Sequence, residues 1–375
     1  MSIDHLPTPS ALLDLPCLQD NVQRLQDRLN ALGVRLRPHV KTPKCIEVAR
    51  LQRAAGASGI TVSTLKEASE FFAAGFDDIL YAVGIAPHKL ATVVAMRQQG
   101  CRLTVIVDSV AAAQAVVQAG QAAGLALPAM VEIDTDGHRA GIEPEAALLI
   151  DVGRTLHDGG AVLAGVMTHC GASYEQNTPA GLQAMAEQER SRCVRAAERL
   201  RAAGLPCPEV SVGSTPTAWS AQSFAGVTEV RAGVYVFNDL VMCNIGVAEP
   251  AQVAMSVLTT VIGHQPAKGW VLVDAGWMAL SRDRGTQRQA VDYGYGAVCN
   301  EAGQLLPGWT VSAANQEHGT MTHRDGGADV QRLFPIGTRL RILPNHACAT
   351  AAQFDRYHVL QPSGQPLTWE RFHGW

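Results

Sequence analysis

The chain has little charge, few aromatic residues, no paired-cysteine pattern and no long apolar run. Only 17% of its 375 residues are charged, the net charge is −4 and aromatics make up 5%. That balance excludes a disordered tail and a basic nucleic-acid surface, and it describes a well-packed, enzyme-like protein. No stretch reaches the length of a membrane span, and the N-terminus MSIDHLPTPSALLDL has no basic segment followed by an apolar one, so a cytoplasmic location is expected. Nine cysteines (17, 45, 101, 170, 193, 207, 243, 299, 348) form neither a C-x-x-C pair nor an even framework; most should be reduced, buried and apolar in role. No G-x-G-x-x-G follows the first strand, which weakens a dinucleotide-binding reading, and neither a low-complexity linker nor a short repeat is present.

What the chain has instead is a rhythm. Residues 8–15 read as a short strand and 17–32 as a helix with Leu18, Val22, Leu25 and Leu29 on one face. Eight β-branched-rich runs follow, at 34–40, 58–64, 77–83, 103–109, 128–134, 162–169, 208–213 and 228–236. Ala-rich helical stretches separate them at 44–56, 65–74, 87–99, 109–123, 143–157 and 180–203, five of them stopping at Gly56, Gly75, Gly100, Gly124 or Gly204. Eight β/α units predict an α/β fold built on a closed TIM-like (β/α)8 barrel, with an open doubly wound sheet as the competing arrangement. From about 246 the pattern changes to strands separated by Gly, Pro and Asn turns, an antiparallel β domain that the strand at 8–15 should join. The expected domains are 25–245 for the barrel, and 1–24 with 246–375 for the β domain.

A barrel gathers reactive groups at the C-terminal ends of its strands. Those ends carry Lys41, Asp108, Asp134 with Asp136, His138 and Arg139, then His169, the turn Gly213-Ser214-Thr215, and Tyr235. A lysine there is as readily a surface cation, and Lys44 stands close by. Gly213-Ser214-Thr215-Pro216-Thr217 fits an anion-binding strand-to-helix turn, although an ordinary turn has the same composition. His169 could stack on a planar ring, Tyr174 could exchange a proton, and Arg139 could hold a phenolate or carboxylate or merely a loop salt bridge. Together they suit an anionic aromatic cofactor that forms a Schiff base with Lys41. In the β domain, Pro344-Asn345-His346-Ala347-Cys348 places an imidazole and a thiol two residues apart, on one face if the segment is a strand. The pair is suited to zinc, but a buried cysteine beside a structural histidine reads the same way. Asn315 to Gly319 is a further polar cluster.

These motifs carry a resemblance. T-P-x-x-x-x-D-L at Thr8, R-P-H-x-K at Lys41, D-G-H-R-x-G at Asp136, T-H-x-G-x-x-Y at Thr168, G-S-T-P-T at Gly213, Q-E-H-G at Gln316 and P-N-H-x-C at Pro344 resemble the metal-dependent pyridoxal-phosphate enzymes of alanine-racemase-like fold, fold type III. That family includes D-serine dehydratases, D-threonine aldolases and dehydratases of D-3-hydroxy amino acids. The resemblance spans nearly the whole chain and implies a cytoplasmic, homodimeric lyase acting on a small D-amino acid, without nucleic-acid or membrane partners. It implies that Lys41 bears pyridoxal 5'-phosphate, that Gly213, Ser214, Thr215, Gly233 and Tyr235 hold its phosphate, that Arg139 lies on the ring-oxygen side, and that His169 lies on the ring face with Tyr174 nearby. A divalent metal on His346 and Cys348 is implied too, zinc being favoured by the ligands and manganese or magnesium remaining open. Arg282, Arg284, Gln316 and His318 are candidates for holding a substrate β-carboxylate. Dehydration is the expected reaction; retro-aldol cleavage, racemisation and a non-catalytic carrier role are the alternatives. One departure from the pattern is Cys170, which bears on substrate preference rather than on the cofactor.

Overall fold

In the computed structural model, residue 3, residues 5–362 and residues 365–375 are described. The chain divides into two compact units, Met1–Val22 with Val234–His373, and Gln23–Gly233 with Gly374–Trp375. The division falls within the first helix, Leu15–Ala31, whose Leu18, Val22, Leu25 and Leu29 are all buried. Toward the C-terminal side it falls at 233/234, whereas the sequence reading places it at 245/246.

The unit containing residues 23–233 is a ring of eight parallel strands. Arg35–Leu36 neighbours Glu229–Val230, and the order continues through Glu209–Val212, Val162–Met167, Pro128–Glu132, Arg102–Val107 and Asp78–Gly84 to Ile60–Val62. The ring closes where His39 bridges Thr61, with the Val40 N–H donating to Thr61 O at 2.9 Å. Closure decides against the open sheet. The helices between the strands end cleanly, and all five glycines expected to stop them have positive φ.

Three elements differ from their sequence limits. The eighth strand keeps only Glu229–Val230; residues Val234–Val236 wind into a 3-10 turn, so Tyr235 stands on a turn rather than a strand end. The helix expected at 143–157 starts at Leu148, because Ile142 is held in extended pairing beside Ile133, its N–H donating to Glu132 O at 2.9 Å. The metal-pair segment is not a strand either. The strand ends at Leu343, His346 is the N-cap of a helix, and Cys348 lies in the first turn of that helix, Ala347–Ala351.

The other unit is a nine-stranded sheet. Its long strand Met255–Gln265 pairs with Trp270–Val273, Arg339–Leu343 and the N-terminal strand Ser10–Asp14. A register shift between Val261 and Gly263 bends this strand, so that it pairs with both Trp270–Val273 and Arg339–Leu343 and closes the sheet on itself. Pairing is antiparallel except for Ser10–Asp14 against Arg356–Leu360, which is parallel. The apolar faces meet in a core that includes Val257, Val273, Trp309, Met321 and Ile342. Six of the nine cysteines are buried, and all nine are free thiols. No helix among the described residues is long and apolar enough to cross a membrane.

Candidate active site

Two groups of side chains are candidates for the chemistry, one around Lys41 and one around His346 and Cys348. In the barrel, the first strand leads through the His39 bridge into a turn at 40–43, which places Lys41 on the surface at a strand end. Lys44 has a different fate. Its backbone is left-handed at φ 42°, and its Nζ lies 3.1 Å from the fully buried Glu67 carboxylate. No ion pair of Lys41 is formed among the described residues, which makes Lys41 the better candidate of the two amines.

Around Lys41 the imidazoles are kept neutral. Burial pushes the His169 pKa down to about 3, with the Lys41 cation acting in the same direction, and His39 is lowered by burial, Lys41, Arg231 and His169. Nδ1 of His169 lies 2.9 Å from Gly213 O; since a carbonyl only accepts, Nδ1 carries the proton and Nε2 is left with a lone pair. The His169 ring is 6.3 Å from the Tyr174 ring at 51°. Nδ1 of His39 is enclosed and has no hydrogen-bond partner, an orphaned polar atom beside Lys41.

The turn after the seventh strand is built on one glycine. At Gly213 φ is +143°, and a Cβ would stand 1.9 Å from Arg231 O, so no other residue fits. Ser214 caps the helix Thr215–Ser220 through a capping box with Thr217. Its hydroxyl lies 2.8 Å from the Ser173 hydroxyl on the turn that carries Tyr174. Glu189, buried in the helix Pro179–Ala202, ties two strand ends together: one carboxylate oxygen accepts the N–H groups of Cys170 at 2.9 Å and Gly213 at 3.1 Å. Arg139 is 60% exposed and 3.6 Å from Glu132, a loose pair that leaves the guanidinium able to serve another anion. Its loop is joined to the Tyr174 turn by Asp136, whose carboxylate accepts the Ala172 N–H at 2.9 Å. Cys170 is fully buried and its thiol is raised by burial and by Glu189, which makes it an inert filler. Gly233 packs against His39 O and Thr42, where a Cβ would come within 3.2 Å, and Tyr235 is buried in its own unit.

Sequence reasoning passed over His39, Glu189 and Arg231. Arg231 lies fully inside the barrel, donating to Ser211 Oγ and Thr168 O. A charged residue in an otherwise apolar strand was the available signal.

In the β domain the segment Pro344–Cys348 is held from several sides. Pro344 O and Asn345 O accept the N–H groups of Leu240 and Val241, Asn345 Nδ2 donates to Gly294 O at 2.6 Å, and buried Asp239 accepts the Ala347 N–H at 2.9 Å. His346 and Cys348 face one another. Burial opposes charge on His346, but the Cys348 sulfur, a hydrogen bond to Asp283 and the nearby Asp239 outweigh it and raise the imidazole to about 11. A metal would have to displace that proton, because a ligating imidazole is neutral; the imidazole and thiol are donors of the kind that suit a divalent metal. Among the described residues no third His, Cys, Asp or Glu completes a metal cluster. Gln316 and His318 are exposed on the turn 315–318, whose carbonyls accept the N–H groups of Trp277 and Met278, and Arg282 stacks on the Trp277 ring at 4.9 Å. Asp283 was missed, hidden between the two arginines that drew attention.

Comparison with known proteins bears on the family and the fold. A model of the alanine racemase N-terminal domain matches residues 13–240, and one described as a putative serine dehydratase domain matches residues 254–360. The D-threo-3-hydroxyaspartate dehydratase of Delftia sp. (strain HT23) is 62% identical, covering 99% of this chain and 98% of that one. This chain belongs to the alanine-racemase-like dehydratase family. The chain is a lyase, and its alanine-racemase-like family implies pyridoxal phosphate. The solved structure of the Delftia enzyme superimposes on it with a TM-score of 0.98, each chain being covered to 99%. More distant members are the D-serine dehydratase of Dictyostelium discoideum, 30% identical over 97% of this chain and 95% of that one, and the D-threonine aldolase of Filomicrobium marinum, whose structure matches with a TM-score of 0.83 at 26% identity, covering 97% and 95%.

Proposed function

We propose that the chain eliminates water from D-threo-3-hydroxyaspartate to give oxaloacetate and ammonia, with pyridoxal phosphate on Lys41 and a divalent metal, zinc by preference, on His346 and Cys348. The observation that carries this reading is the 62% identity to a dehydratase of that substrate over essentially the whole length of both chains. A solved D-threo-3-hydroxyaspartate dehydratase in which a cysteine is replaced by alanine is in a metal-free form, which supports a metal in this family. The residues fit both groups: in the barrel, a surface amine with no ion pair among the described residues beside an orphaned ring nitrogen, and in the β domain an imidazole and a thiol, donors that suit a divalent metal.

When bound, the two groups supply carbanion stabilisation at Cα and Lewis-acid stabilisation of a departing hydroxide. The chain does the rest. Lys41 Nζ would be the attachment point, and the same amine, when free, would serve as the base for the α-proton. Gly213, Ser214 and Thr215, with Gly233 and Tyr235, hold the phosphate, and Arg139 serves the ring-oxygen side. His169 is locked by its Nδ1–H bond to Gly213 O and stays neutral, so its face can lie against a ring without adding charge. Tyr174, held beside it, is the second proton carrier. Arg282, Gln316 and His318 are assigned to the substrate side chain; D-serine, lacking the β-carboxylate, should be turned over less well. We assign the protein to the cytoplasm as a homodimer, a state that light scattering on the purified protein tests.

The deciding assay measures products. Oxaloacetate and ammonia should be released from D-threo-3-hydroxyaspartate; glyoxylate with glycine in their place would establish retro-aldol cleavage, and no turnover with or without metal would establish a carrier.

A further inference from the structure

The loop 281–285 contains three charged residues in a row, and each has a separate partner. Arg282 lies over the Trp277 ring, with its guanidinium carbon 4.9 Å from the ring centre. Arg284 reaches the other way and pairs with Asp292 at 2.7 Å. The carboxylate between them pairs with neither. Asp283 instead sets Oδ2 2.6 Å from Nδ1 of His346, sixty-three residues further along the chain. A carboxylate can only accept, so Nδ1 carries the proton, and Nε2 is the ring atom whose lone pair a cation would take once that nitrogen gives up its own proton.

The backbone is arranged to deliver that contact. Ser281 adopts φ 70° and ψ 165°, a region which residues with a Cβ avoid. Its hydroxyl accepts the Asp283 N–H at 3.1 Å. Leu280 O accepts the Thr350 hydroxyl at 3.0 Å, and Thr350 stands on the helix that carries Cys348, so the start of the loop is tied to the metal-pair helix. At Gly285 a Cβ would stand 2.8 Å from Val241 and 4.0 Å from the His346 Cβ, which is how closely the loop passes the histidine. Asp239, the other carboxylate nearby, is committed to the backbone, accepting the N–H groups of Met242 and Ala347.

We propose that Asp283 is a positioning residue for the metal: it fixes the His346 tautomer and ring orientation so that Nε2 faces the ion, and it strengthens His346 as a donor. This inference rests on the metal reading given above. Partners that hold the second ring nitrogen of a metal-bound histidine change affinity by roughly 10–100-fold when removed. Asp283 is not a catalytic residue, since it reaches the reaction only through His346.

The test is calorimetric titration of Zn²⁺ into chelator-treated, pyridoxal-phosphate-loaded protein, a measurement independent of turnover. Asp283→Ala should bind Zn²⁺ roughly 10–100-fold more weakly than wild type, with the visible cofactor absorption unchanged. Asp283→Asn should lie between the two, because an amide oxygen still accepts the Nδ1–H but carries no charge. Wild-type affinity in both variants would overturn the assignment; should Asp283→Ala not fold, wild-type affinity in Asp283→Asn alone would do so. The outcome for the metal site itself is separate. If the wild-type protein takes up no Zn²⁺, or His346→Ala takes it up as tightly, the metal reading falls and the role of Asp283 falls with it.

Discussion

Lys41 and Lys44 are three residues apart, and their surroundings separate them completely. Lys44 is committed to buried Glu67, whereas Lys41 stands at a strand end among neutral imidazoles. Lys41→Ala should therefore abolish both the visible absorption of lysine-bound pyridoxal phosphate and oxaloacetate release, while Lys44→Ala keeps the absorption. Colour surviving in Lys41→Ala would move the attachment to another amine. His169 makes a prediction of another kind. In the unfolded chain its imidazole takes up a proton near pH 6.5, but in the folded protein not until about pH 3. The unfolded state binds more protons throughout that window, so stability is unaffected above about pH 6.5 and falls progressively as pH drops toward 3. Replacing the ring removes this term: His169→Gln, melted without added cofactor, should lose less Tm between about pH 7 and pH 5 than wild type. Equal losses would show that His169 is protonated freely in the folded state.

At the scale of elements, the candidate side chains of each unit stand on segments held by buried or hydrogen-bonded carboxylates. Glu189 binds the ends of two strands through one oxygen, Asp136 binds the Arg139 loop to the Tyr174 turn, and Asp239 anchors the helix behind His346. The Gly213 turn is the least forgiving of these elements. A Cβ there meets the Arg231 carbonyl at 1.9 Å on a backbone of positive φ, so Gly213→Ala should destabilise the fold by about 2–4 kcal/mol, combining the backbone strain with displacement of a packed strand. Chemical denaturation measures it, and a loss below about 1 kcal/mol would mean that the turn can shift. The eighth strand and the helix after Ile142 show why element boundaries were harder to read than element order. Apolar β-branched residues continue through Val236, yet pairing ends at Val230, and Ala-rich residues from 143 onward wait for Ile142 to finish an extended bridge.

For the whole molecule, Lys41 and the His346–Cys348 pair fall in different units, and the two assignments are tested separately. Chelation followed by removal of the chelator should abolish dehydration and leave the visible cofactor absorption in place; adding back Zn²⁺ or Mn²⁺ should restore activity. Loss of the absorption on chelation would mean that the metal also maintains the cofactor site. The family assignment rests at this scale too, because the matches cover both units rather than a single motif.

The eight-fold alternation of strand and helix, the switch to turn-punctuated strands, and the run of motifs from Arg37 to Cys348 were all legible in the sequence. They depend on side-chain periodicity, on glycine's access to positive φ, and on local spacing, which are properties of neighbouring residues. The tertiary structure alone decided which lysine is free, that His169 and His39 are neutral, that the His346–Cys348 pair sits on a helix start, and that Asp283 rather than either flanking arginine meets His346. Each of these depends on burial or on a contact between residues far apart in the chain, from Lys44 with Glu67 to Asp283 with His346. Hydrophobic pattern fixes which faces turn inward, but which charged groups meet there is settled only once the strands have closed and the loops have been pinned.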